Sequence, residues 1–466
     1  MKKIIIILLA AAAIMIVLVI NNTKVEKDNS IYVATNGSDQ NNGTKLKPFR
    51  TLKRAASEAV AGTTVYIRKG TYNERLVIKH SGTKSKPIIF KAYKKDKVVL
   101  SGKDVKDVEG DTSLVTVNNK NYLTISGLAI QDLSTNLTDE TVMGIYVTGL
   151  SSHITLKNNH VRRIETHAED GNGHGIAIYG TGPMKDINIF NNTVEDLKLG
   201  SSESLALNGN IDGFKVENNL VRRSDNIGID LIGYEGTSND KKADYVRNGV
   251  VKNNEINEIS SYGNPAYGED YTAGGIYVDG GKNITIEMNT VYKCDIGIEA
   301  TSEHAKKYAS HINIKKNTVY NNYYTGISIG GYDKNRGGTI NSTISKNVIY
   351  RNDTKGLDGG QLLLQHDAKN NVIEKNILTA GPSRLFIANY FTTNQANKLQ
   401  NNVFHKEKGK IGIWVWKEGE YTFFPKFKIA SSSDERSSYL DPKYENENKY
   451  DFRLKKDSPA KKIILE

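Results

Sequence analysis

The stretch Ile154-Thr155-Leu156-Lys157-Asn158-Asn159-His160-Val161 alternates apolar and polar residues, breaks at an asparagine pair, and then resumes. Alternation over three to five residues marks a half-buried strand, and asparagine favours turns. The phrase returns at Asn192-Thr193-Val194, Asn219-Leu220-Val221, Asn254-Glu255-Ile256 and Asn289-Thr290-Val291, then at Asn317, Asn347, Asn376 and Asn402. A second strand of the form Gly-apolar-x-apolar follows in most repeats, as in Gly175-Ile176-Ala177-Ile178 and Gly297-Ile298-Glu299-Ala300. Helical periodicity is absent here. A unit of about 30 residues built from short strands is one coil of a parallel β-solenoid. The repeated asparagine is expected at one corner of each coil, where it tolerates left-handed backbone and its amide bonds along the stack. The spacing of leucine-rich repeats and the Trp-Asp dipeptide of propellers are both missing.

The composition agrees. The 466 residues include 41 Gly and 48 Asn against 8 Pro, which implies many tight turns. A single cysteine, Cys294, excludes a disulfide scaffold and a multi-cysteine metal site. The net charge of +11 (63 Lys+Arg less 52 Asp+Glu) points to a polyanionic partner. No dense basic run accompanies it, so nucleic acid is not the expected partner.

Lys2 and Lys3 precede an apolar run from Ile4 to Ile20. Its length lies between a secretory signal and a membrane span. Residues 1–29 therefore read as a signal anchor or signal peptide with a short linker. Residues from about 30 onward are expected outside the membrane, at a cell surface or secreted, with membrane contact only through this segment. Residues 30–466 read as one all-β domain. Phe49, Leu52, Ala55, Ala56 and Ala59 share one helical face, so 48–60 is expected to be a helix capping the first coil. Core coils are expected from about 65 to 405, with an irregular closing segment over 405–466. Within that segment, Tyr450-Asp451-Phe452-Arg453-Leu454 reads as a last strand.

Ile31-Tyr32-Val33-Ala34-Thr35-Asn36-Gly37-Ser38-Asp39, then Pro48-Phe49-Arg50-Thr51-Leu52, then Val65-Tyr66-Ile67-Arg68-Lys69-Gly70-Thr71-Tyr72 resembles the opening of pectate-lyase-superfamily proteins. Polysaccharide lyase family nine and related lyases begin similarly. The resemblance implies a single-stranded right-handed parallel β-helix and activity on an acidic, uronate-containing polysaccharide. Family nine binds Ca²⁺ through an Asp-Gly-Phe strand and an Asp-Asp-Gly-x-Asp cluster. Asp212-Gly213-Phe214 matches the first, while Ser224-Asp225-Asn226-Ile227-Gly228-Ile229-Asp230 departs from the second by one Asn and one extra residue. The resemblance thus implies a Ca²⁺ site at Asp212, Asp225 and Asp230. The family's catalytic lysine has no matching position.

A packed solenoid carries its chemistry on an outer face and in the flanking loops. In the second strand of each coil the outward residue is Tyr146, Ala177, Ala206, Asp230, Tyr277, Glu299 and Ser328 in turn. Asp279 follows Tyr277 on the same face. The longest loops surround these coils and carry Glu235, Tyr262, Tyr267, Tyr271, Glu303, His304, Lys306 and Arg336. Tyrosine rings suit sugar faces, so Glu235, the loop tyrosines, Tyr277 and Arg336 are the candidate substrate contacts. A lyase needs a base, with His304, Lys306, Lys307 or a tyrosine as candidates, and a cation at the uronate carboxylate. An inverting hydrolase needs two carboxylates, with Asp230 and either Asp279 or Glu299 as the candidate pair, and Glu303 is a further catalytic candidate. A surface that binds glycan without catalysis is the alternative from another class. His167 and His174 lack a third ligand at diagnostic spacing.

Overall fold

The computed structural model describes residues 29–105, 110–406, 410–432 and 436–465. The targeting segment read from residues 1–28 lies outside them. Among the described residues, no helix is long and apolar enough to cross a membrane.

Short strands stack in three columns of parallel pairs. One column contains Thr141–Thr148, Ile229–Ile232, Gly274–Asp279, Ile296–Thr301 and Thr325–Ile329. A second contains Ile154–Lys157, Arg247–Lys252, Lys282–Glu287 and Tyr308–Lys315. The long strands Asn172–Phe190 and Leu205–Glu217 bend from the first column into the second and join them in one 26-stranded sheet. The third column is a separate 13-stranded sheet that includes His160–Thr166, Leu220–Ser224 and Glu255–Ile259. The inward residues of all three, such as Ile276, Ile284 and Val291, form one continuous buried core. This is a β-helix.

The repeated asparagines do not hold the left-handed corner. That conformation falls on the residue before each of them: Asn158, Asn191, Asn218 and Asn253 all lie between φ 53 and 58°. The ladder asparagines point inward and are buried. The backbone N–H and the side-chain Nδ2 of Asn219 both donate to Asn254 Oδ1, and Asn254 does the same to Asn289. The chain of amides runs from Asn159 to Asn402, where Ser437 Oγ accepts the last backbone N–H. Each buried amide is satisfied by its neighbour, so burial costs little.

The glycine that opens each strand of the first column has a steric cause. A Cβ on Gly228, Gly275 or Gly297 would run into the carbonyl of the equivalent glycine one coil on.

Near the N-terminal end a seven-residue helix covers Leu52–Glu58, shorter than the sequence predicts. Thr51 Oγ1 caps it by accepting the Arg54 N–H at 3.1 Å, and Leu52, Ala55 and Ala56 are buried. Toward the other end, Ile413–Trp416 and Ser438–Tyr439 add further rungs beyond residue 405. Asp451–Leu454 is a strand, but it pairs antiparallel with Tyr444–Asn446 in a separate ribbon.

Candidate functional site

The ladder register aligns Tyr146 with Ala177, Ala177 with Ala206, Ala206 with Asp230, Asp230 with Tyr277, Tyr277 with Glu299 and Glu299 with Ser328. These side chains leave the core, yet the loops cover them: Asp230 is 3% exposed and Glu299 4%. Burial of carboxyls without paired cations disfavours their charged form.

A cavity of about 430 Å³ opens over this column. Tyr277, Glu299 and Glu303 line it, with tyrosine walls from Tyr267, Tyr271, Tyr324 and Tyr332. No lysine or arginine is part of the lining. Glu299 accepts hydrogen bonds from Gln365 Nε2 at 2.6 Å and Ser328 Oγ at 3.0 Å. Burial outweighs these and pushes its pKa up to about 7. Glu303 is half-buried and accepts from the Tyr277 hydroxyl at 3.0 Å and the Tyr332 hydroxyl at 3.5 Å. Arg336 donates to the Glu303 carbonyl at 3.0 Å and comes within 3.9 Å of its carboxylate, braced by Asp333.

Behind this pair lie more carboxyls. Asp230 leaves one buried oxygen without a hydrogen-bond partner, and burial followed by Glu203 and Asp279 raises its pKa well above the usual range. Burial, then Glu235 and Glu303, pushes Glu203 up to about 8. Asp279 accepts the Glu303 backbone N–H at 2.7 Å, and burial followed by Glu303 raises it too. His174 is held between the Glu203 carbonyl and the Tyr179 hydroxyl, each at 3.1 Å, and burial lowers its pKa to about 4. It is therefore a neutral structural histidine at pH 6 and above.

Several sequence candidates lie elsewhere. Tyr262 is 48% exposed and stacks on Tyr271 with ring centroids 4.8 Å apart, outside the cavity. Lys306 is exposed and faces away from the carboxyls into a second concavity. Sequence reasoning passed over Glu203, Tyr324, Tyr332 and Gln365. Tyr332 shares the loop of Arg336. Gln365 lies two residues past Leu363, the residue that follows Ser328 in the same ladder.

Asp212, Asp225 and Asp230 do not form one site. Asp212 pairs with Arg247 at 3.2 Å, and Asp225 accepts the Leu199 N–H at 2.7 Å. The one group among the described residues that could hold a metal ion is Glu235, Asp279 and His304, whose ligand atoms lie within 4.8 Å of one another. Glu235 accepts from Asn208 Nδ2 at 2.8 Å, and the Asn208 Oδ1 is buried without a partner. Ca²⁺ takes oxygen ligands, whereas imidazole suits zinc-like ions. The donor set therefore does not match Ca²⁺.

The comparisons agree with the fold. A Pel9A-like, right-handed β-helix region matches residues 31–254, and a general right-handed β-helix region matches residues 274–424. The molecule is thus a right-handed parallel β-helix with a Pel9A-like region. YwoF of Bacillus subtilis, described as an uncharacterized protein, is 59% identical over 445 residues, 95% of each chain. The chain belongs to the family of that protein. Pectate lyase PEL9 of Emericella nidulans is 36% identical over 83 residues, 17% of this chain and 20% of that one. Among solved structures, the GH136 lacto-N-biosidase of Eubacterium ramulus superposes with a TM-score of 0.52 at 13% identity, over 88% of this chain and 66% of that one. At that identity the likeness shows the shared fold alone.

Proposed function

We propose that the protein is a glycoside hydrolase whose reaction takes place in the tyrosine-walled cavity, on a glycan with no charge at the cleaved unit. The observation that carries this reading is the lining itself: Glu299 and Glu303 with four wall tyrosines and no lysine or arginine among the described lining residues, while Arg336 beside Glu303 is already paired with it and with Asp333. A lyase must neutralise a uronate carboxylate with a cation or strong donors. This lining would repel that carboxylate.

Two carboxyls in contrasting environments are the requirement for acid and base roles. Glu299, with its raised pKa, carries the proton. It gives that proton to the glycosidic oxygen as the bond to the anomeric carbon breaks. Water supplies the new oxygen on that carbon, and Glu303 takes its proton. Tyr277 and Tyr332 orient Glu303, and Arg336 positions the loop that bears it. Burial, with the carboxylate of Glu303 beside it, favours the protonated form of Glu299.

The test incubates the full chain with neutral glycans and uronate polymers, with and without chelator. Two signals are read: reducing ends, and the ultraviolet absorbance of unsaturated sugar. Reducing ends without absorbance, lost in Glu299→Gln, are expected. The Pel9A-like region over 31–254 favours a second reading, a lyase on acidic polysaccharide. Ultraviolet absorbance on uronates would establish it and sink the hydrolase. Silence on every substrate with retained binding would leave a glycan-binding solenoid.

The apolar run after Lys2 and Lys3 supports export, with residues 30–466 outside the membrane. The buried face of the Leu52–Glu58 helix supports a capping role at the first coil.

A further inference from the structure

The loop over 301–307 and the loop after Ile232 each have two sides. Glu303, His304 and Glu235 face the carboxyl cluster. One to four residues away, Tyr234, Lys306 and Lys307 face the opposite way. There they help line a separate concavity of about 400 Å³ together with Lys241, Lys242 and Lys282.

Five lysines thus converge on one small volume. Among the described residues, none of them makes an ion pair with a carboxylate. Like charges packed this way repel, and a bound anion relieves the repulsion. The site is also built in advance. The rings of Tyr234 and Tyr245 lie 5.4 Å apart. Lys282 Nζ sits 4.3 Å from the Tyr245 centroid, and Lys307 Nζ 4.8 Å from that of Tyr234. These cation–π contacts hold two ammonium groups in place before any ligand arrives. Asp244, 2% exposed, pins the loop that carries Lys241 and Lys242 by accepting the N–H groups of Gly236 and Ser238 at 2.7 and 2.8 Å.

We infer that this pocket is a second binding site, taking the carboxylate or phosphate groups of an anionic glycan. Lysines read such groups as point charges and do not demand the planar two-pronged geometry of arginine. The pocket lies outside the catalytic cavity, and the inference does not rest on the hydrolase reading. It gives an acidic polysaccharide a place on the molecule that the acidic cleft denies it.

The test measures fluorescence anisotropy of labelled oligogalacturonate and poly(glycerol phosphate) with the full chain at low and high salt. The first arm reports a carboxylate source and the second a phosphate source. Neutral galactan and duplex DNA serve as comparators. Binding of one or both anionic glycans is expected, weakening with salt. It should fall at least tenfold in the double variant Lys282→Gln/Lys307→Gln and stay within twofold in Lys95→Gln. Glu299→Gln should bind as wild type does, which separates this site from any failure of the hydrolase reading. If the first double variant does not fold, the exposed pair Lys241→Gln/Lys242→Gln decides, with at least a threefold loss expected. Unchanged affinity in the lysine variants, or DNA binding as tight as the glycans, would overturn the inference.

Discussion

The two concavities share their loops and differ in almost everything else. One side collects carboxyls that burial pushes toward their neutral form. The other collects lysines, two of them held against tyrosine rings. Tyr234 and Glu235 are adjacent in sequence and serve opposite sides, as do Glu303 and Lys306. A turn of backbone is therefore enough to separate two fields that would cancel if mixed. The net positive charge of the chain describes neither side. It is the sum of a basic surface and a small, secluded acidic interior.

Breaking the acidic side should give the largest effect. Glu299→Gln is expected to lower the hydrolytic rate by about 10²–10⁴-fold, the range for losing a general acid. A thermal melt close to that of wild type would show that the loss is chemical. Next comes orientation. Tyr277→Phe removes the 3.0 Å donor to Glu303, and a fall in kcat of about tenfold with little change in KM is expected. An unchanged kcat would mean that Glu303 needs no such support.

The pH dependence of stability sharpens the comparison further. Glu299 and Glu203 have folded-state pKa values of about 7 and about 8, above the ordinary 4.5. The stability linked to them is fully present below about pH 4.5 and disappears as pH rises through 7 and 8. Glu195 is opposite. The hydrogen bonds of Arg222, His160 and Arg223 outweigh desolvation and hold it near 2, so its contribution is lost as pH falls from about 4.5 through 2. Thermal stability should therefore peak near pH 5 and decline toward pH 8.5. Glu203→Gln should remove part of that decline. A flat melting profile between pH 5 and 8.5 would contradict the carboxyl cluster. The smallest effect concerns the rim. Tyr262→Ala should raise KM about two- to threefold, because Tyr262 touches the cavity only through Tyr271; a larger loss would extend the cleft outward.

Much of this was legible in the sequence because the solenoid is periodic. The repeated Asn phrase fixes where each coil turns. Once the coils are aligned, counting two residues along a strand finds the Asp230–Tyr277–Glu299 column. Periodicity also misled: the asparagine at the corner and the left-handed residue are neighbours, and only the backbone distinguishes Asn253 from Asn254. The loops obey no repeat. Their path over the column is set by non-local contacts such as Ser261 with Asp295 and Asn264 with Gly200. For that reason Glu203, Tyr324 and Gln365 gave no local signal, and the divergence of Glu303 from Lys306 was unreadable.

The amide ladder has a consequence for how the molecule comes apart. Its bonds run in series, so an opening that starts at either end must release one rung before the next. Asp230, Asp279, Glu299 and Glu303 belong to the coils of Asn219, Asn254 and Asn289, with Asn159 and Asn192 on one flank and Asn317 to Asn402 on the other. Fraying therefore consumes several rungs before it reaches them. The ladder behaves as a zip fastened at both ends around the carboxyl-bearing coils, and the slowest-exchanging amides should be those at its middle.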